Sequence, residues 1–154
     1  AIIVEALTNN KNRTAAEIRS TFSKYGGNLG ETGSVSFGFK RLGSIILNRD
    51  NINEEELFDY IVEHGSEDYE LNQEEYNIYC DQKILHQLNQ KIIEKFGPTN
   101  FTGLIWKSEN EITVSKDKAE ILFKLLNLLE ENEDVQAVSS NFDVSDEVLA
   151  SLTL

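Results

Sequence analysis

The sequence is poor in several residue types. Among its 154 residues there is no methionine, one cysteine (Cys80), one proline (Pro98) and two histidines (His64 and His86). A lone cysteine forms no intrachain disulfide and, with so little histidine, builds no structural zinc site. The expectation is a reducing compartment, no metal and no cofactor. Apolar runs stop at three or four residues, as at Ile45-Ile46-Leu47. A membrane helix needs about 18, so no membrane association is expected. The N-terminus lacks the basic start and apolar core of a signal peptide. A chain without methionine does not open at its own initiator, and we read it as a piece of a longer protein. Also missing are a G-x-S-x-G elbow, a Walker loop and a His–carboxylate pair at helical spacing. Cys80 has no basic neighbour to lower its pKa. His64 precedes Gly65, where an imidazole meets the negative end of a helix dipole. No residue argues for an enzyme.

What is abundant is acid. Twenty-seven Asp and Glu face 14 Lys and Arg, a formal net charge of −13. The distribution is uneven: residues 1–49 hold seven bases against three acids, so the remainder carries −17. Phosphate backbones are bound mainly by neutralising their charge, so only the first third suits nucleic acid. The runs Glu54-Glu55-Glu56 and Glu130-Glu131-Asn132-Glu133-Asp134 lack the spacing of a calcium loop and read as solvated faces.

The 40 % apolar content is enough for a core, and its patterning alternates strands with helices. Residues 2–8 read as a buried strand. Thr14-Ala15-Ala16-Glu17 reads as a capping box opening a helix with Ala15, Ile18, Phe22 and Tyr25 inward. Gly26-Gly27 closes it, with a positive φ expected at Gly27. Val35, Phe37 and Phe39 alternate with small polar residues as a strand would. From residue 44 the pattern restarts: strand 45–47, a helix from Asn53 to Gly65, strands 69–71 and 76–80, a helix capped by Asp81 and stopped by Gly97-Pro98, and strand 104–106. That is β-α-β-β-α-β, the split βαβ pattern. A strand at 112–114, a helix over 117–131 and a strand at 135–139 follow. The fold class expected is α+β: two ferredoxin-like βαββαβ units, the second (44–107) inserted into the first (1–43 plus 108–154), with one continuous sheet as the rival arrangement.

Residues 26–33 hold Gly26, Gly27, Gly30 and Gly33 around Asn28. Such a loop is either structural or an anion-binding nest. Lys11, Arg13, Arg19, Lys24, Lys40 and Arg41 lie around it in sequence and are the candidate nucleic-acid contacts. Arg13 sits at the positive end of its helix, against its electrostatic preference, unless Glu17 pairs with it.

Residues 5–14, running on through Gly26-Gly27-Asn28-Leu29-Gly30 and Gly33-Ser34-Val35-Ser36-Phe37, together with Glu133-Asp134-Val135-Gln136-Ala137-Val138-Ser139-Ser140-Asn141-Phe142-Asp143, resemble the YebC family. The resemblance spans the chain, and over 48–110 only the order of elements agrees. It implies a three-part protein whose basic, helical N-terminal domain is absent from this chain. It further implies a non-enzymatic regulator of gene expression, a DNA-binding transcriptional regulator or a ribosome-associated translational activator. The location would be cytoplasmic or, in the organelle branch, the mitochondrial matrix. The partner would be promoter DNA or ribosomal RNA, reached mainly through the missing domain. The residues themselves leave another class open, because the acidic inserted unit suits a basic protein partner.

Overall fold

The computed structural model describes residues 1–66 and 68–152. In chain order they form β1 (Ile2–Ala6), α1 (Lys11–Lys24), β2 (Phe39–Asn48), α2 (Glu54–Glu63), β3 (Asp68–Leu71), β4 (Glu75–Cys80), α3 (Leu85–Phe96), β5 (Phe101–Ser108), β6 (Ile112–Thr113), α4 (Lys116–Glu131), β7 (Val135–Ser140), β8 (Phe142–Asp143) and α5 (Asp146–Ser151), with short 3₁₀ turns at Ser36–Gly38 and Gln82–Ile84. The class is α+β. The chain divides into two compact units, Arg41–Trp106 and the flanking segments Ala1–Lys40 with Lys107 onward.

The Arg41–Trp106 unit is a four-stranded sheet in the order β3-β4-β2-β5 under α2 and α3. β2 and β4 pair antiparallel from Gly43↔Cys80 to Asn48↔Glu75, and β3 pairs antiparallel with β4. Alternation sends Ile45, Leu47, Tyr76, Ile78 and Cys80 to one face, where Leu57, Ile61, Leu88 and Ile92 of the helices meet them. The caps follow from side chains. Asn53 accepts from Glu56 N–H, and Asp81 accepts from Lys83 N–H, each satisfying a donor that a helix start leaves open. The buried Tyr76 hydroxyl donates to the Ile52 carbonyl at 3.1 Å.

The flanking unit is built differently. β1 and β7 form an antiparallel pair from Ile2↔Ser140 to Ala6↔Val135. Ile18 and Phe22 of α1 and Leu125 and Leu129 of α4 make its core, against Ile2, Val4, Val135 and Val138. β6 and β8 form a separate parallel pair of two residues each. Among the described residues this unit therefore has two small strand pairs where a four-stranded sheet was expected. The strand expected at Val35–Phe39 is missing because the segment folds into successive tight turns. Ser34 N–H donates to Glu31 O, Ser36 N–H to Gly33 O and Gly38 N–H to Val35 O. Those amides are spent locally, and only Phe39 continues into β2.

Two local expectations at α1 are corrected. Its N-cap is Asn10, whose side chain accepts from Arg13 N–H at 3.0 Å. Thr14 lies one turn inside the helix and is buried, so no capping box forms there. At the other end Gly26, not Gly27, has the positive φ, +81°. Gly27 N–H donates to Phe22 O at 2.8 Å and Gly26 N–H to Ser23 O at 3.2 Å, the paired bonds of a Schellman motif. Gly26→Ala is therefore expected to destabilise by about 1 kcal/mol, the cost of a side chain in the left-handed region, measurable as a lowered denaturation midpoint. At Gly27 the constraint is space instead, since a Cβ would sit 3.3 Å from Phe22 Cδ1.

Candidate nucleic-acid interface

α1 carries Lys11, Arg13, Arg19 and Lys24 against one acid, Glu17. Ile18 and Phe22 turn inward, and all four cations are exposed. With 3.6 residues per turn, Arg13 and Lys24 share the outward azimuth while Arg19 lies roughly a third of a turn round the helix. Lys11, seven residues before Ile18, starts the helix on the azimuth of the inward stripe, so the cations spread as a broad band round the exposed surface of α1 and not as one spot. Lys24 Nζ lies 5.7 Å from the Tyr25 ring centroid.

Arg13 is held by the protein itself. Its Nη2 lies 3.2 Å from Asp134 Oδ2 and its Nε 3.9 Å from Glu17 Oε1, with half of its side chain exposed. These acids answer the unfavourable helix-end position noted in the sequence. Asp134 is the hub of a wider network. Thr14 Oγ1 donates to Asp134 Oδ2 at 2.8 Å and lies 2.7 Å from Thr8 Oγ1. Leu7 N–H donates to the Asp134 carbonyl at 2.8 Å. Asn132 Nδ2 donates to Glu17 at 2.9 Å, and Asn132 Oδ1 accepts from Asp134 N–H. The Thr14 hydroxyl, then Arg13, hold the Asp134 carboxyl below its ordinary range. The two segments singled out in the sequence, 5–14 and 133–143, are thus fastened to each other here.

The glycine loop's first donors are committed. Gly26 and Gly27 spend their N–H groups on the α1 carbonyls, which leaves neither for an anion, while Asn28 and Gly30 lie exposed. Lys40 is exposed at the end of its unit. Arg41 opens the other unit and is not part of the band; its guanidinium lies over Trp106, 5.0 Å from the ring centroid. Sequence reasoning missed Phe37 as a surface residue, because it read the period-two pattern as a half-buried strand; Phe37 is 87 % exposed.

Cys80 is buried, and burial, then Asp81, pushes its thiol up to about 11. It is a core side chain and no nucleophile near neutral pH. Among the described residues no group of three or more His, Cys, Asp or Glu is placed to hold a metal, and no helix is long and apolar enough to cross a membrane.

An α+β chain with one cation-banded helix and an acidic second unit is the class these observations define. The model of a transcriptional-regulator family, described as the TACO1/YebC second and third domain, matches residues 1–142. The chain belongs to that family. It is also similar to the crystal structure of a conserved hypothetical protein from Aquifex aeolicus, at 37 % identity and a TM-score of 0.89 over 97 % of this chain. The chain spans 62 % of the length of that relative.

Proposed function

We propose that this chain is the non-enzymatic part of a regulator of gene expression that works on nucleic acid, in the first place as a DNA-binding transcriptional regulator. The observation that carries this reading is α1: four exposed cations against one acid, in a chain of net charge −13. Such a band runs against the acidic balance of the rest of the chain and is where a phosphate backbone meets attraction. Lys11, Arg19 and Lys24 are the contacts proposed, with Lys40 extending them. Arg13 supports the helix start through Asp134 and Glu17. Long-range repulsion from the remaining acids keeps the affinity of this chain modest.

The experiment is a salt titration with duplex DNA and, in parallel, with ribosomal RNA. Lys11→Ala, Arg19→Ala and Lys24→Ala combined should weaken binding about tenfold or more at low salt. The slope of log K against log salt should flatten by about 0.9 for each phosphate that is no longer neutralised. An unchanged slope would remove α1 from the interface. A preference for ribosomal RNA over duplex DNA would favour the translational role over the transcriptional one.

One observation favours a second reading. The Arg41–Trp106 unit holds thirteen acids and five bases, and Phe58, Val62 and Leu71 are 40 %, 48 % and 42 % exposed on it. Acid around exposed apolar side chains suits a basic protein surface. Binding to a basic protein that survives the α1 substitutions would support that adaptor role.

A further inference from the structure

We infer that Phe37 is a base-stacking side chain that receives the face of an unpaired nucleobase. This inference rests on the nucleic-acid reading above and names the group that would grip a base while α1 and Lys40 meet the phosphates. Phe37 and Phe39 are two residues apart, yet Phe37 is 87 % exposed and Phe39 6 %. Continuing β2 two residues earlier would have kept Phe37 in a strand. Instead the 3₁₀ turn at Ser36–Gly38 lifts it out.

The turn is tied at both sides. Ser36 Oγ donates to Gly33 O at 2.9 Å, and Gly33 has φ +80°. Gly38 O accepts from Glu109 N–H at 3.0 Å. The ring is thus presented by a bonded turn and not by a loose tail. An aromatic ring so exposed adds nothing to the core, and its flat apolar face is available to a partner.

The charge balance of the surrounding sequence points to the partner's chemistry. Residues 11–40 of the same unit hold Lys11, Arg13, Arg19, Lys24 and Lys40 against Glu17 and Glu31. A fully presented aromatic ring in a segment with more bases than acids fits a ligand that alternates flat faces with negative charge, which is single-stranded nucleic acid. Within a duplex the base faces are already stacked, and a ring must first unstack a step to reach one.

The test is fluorescence anisotropy of labelled 12-mers, A12 and U12 RNA, single-stranded DNA of matched sequence, and a 12-base-pair duplex. They are titrated with the wild-type chain, Phe37→Ala and Phe37→Trp. Phe37→Ala should weaken single-strand binding about 5- to 150-fold, the range of one missing base stack. Its melting temperature should match wild type. Phe37→Trp should bind at least as tightly as wild type, with indole emission quenched on binding beyond any change seen from Trp106 in the wild type. Equal affinity of Phe37→Ala and wild type would overturn the stacking role and leave the nucleic-acid reading standing. A loss confined to the duplex would overturn the unpaired-base assignment in favour of insertion at a base step. Failure of wild type to bind any of the four would overturn the nucleic-acid reading, and the stack with it.

Discussion

Gly43→Val should destabilise the Arg41–Trp106 unit by about 3 kcal/mol or more, at the upper end of what overpacking costs. Gly43 lies on β2 directly opposite Cys80. A Cβ there would come within 2.9 Å of Cys80 Sγ, 2.9 Å of Leu85 Cδ1 and 3.1 Å of Leu85 Cβ. Leu85 Cβ is fixed to the first residue of α3, so it has no rotamer by which to withdraw. Valine adds two methyl groups to that conflict, and either α3 lifts or the β2–β4 pair slides. Gly38 is the control: it has nothing within 4 Å of a Cβ and no positive φ, and Gly38→Ala should stay within about 0.5 kcal/mol of wild type. Urea titration monitored by Trp106 fluorescence measures both. Adding Leu85→Ala to Gly43→Val should recover part of the loss, because the two positions share one space and cannot be additive. Strict additivity would mean that the clash with Leu85 is not the cause.

Gly43 also shows where sequence reading reaches its limit. The βαββαβ order of the 41–106 segment was legible, because β2, β4, α2 and α3 are amphipathic with a clean period and stop at Gly65 and Gly97-Pro98. That Gly43 must be glycine depends on Leu85, 42 positions later, and no local pattern shows it. The strand expected at Val35–Phe39 failed for the opposite reason. Its alternation was real, but Gly33, Ser36 and Gly38 offered the backbone tighter local hydrogen bonds than a ladder would. The helix start was misplaced because Thr14 and Glu17 have the spacing of a capping box, while Asn10, an equally good cap, precedes them. β6 and β8 pair over two residues each, too short for periodicity to fix their partner. At the surface, the exposure of Arg19 and Lys24 followed from the inward stripe of Ile18 and Phe22. Glu17 was legible as a partner of Arg13, four residues on; the closer partner, Asp134, was not, since it lies 121 residues away.

The Asp134 network should contribute to the acid sensitivity of the flanking unit. Asp134 is held below its ordinary value of 3.8, first by the Thr14 hydroxyl and then by Arg13. A carboxyl whose pKa is lower folded than unfolded stabilises the fold when ionised. That contribution is complete above the ordinary carboxyl range and is lost as pH falls through 3.8 towards the lower folded value. Asp134→Asn should therefore be less stable than wild type at pH 7, and the gap should narrow steadily as pH falls through the carboxyl range. Thr14→Val keeps the shape of a side chain that is only 3 % exposed but removes the donor to Asp134 and the partner of Thr8. Its expected cost is about 1 kcal/mol, the usual net worth of a hydrogen bond whose partner can still reach water. The double variant should cost less than the sum of the singles, since both remove one bond. Denaturation midpoints from pH 7 down to pH 3 decide the matter. A gap between wild type and Asp134→Asn that is constant across that range would show that the carboxylate's charge plays no part, and that the side chain joins 5–14 to 133–143 as a neutral hydrogen-bond acceptor alone.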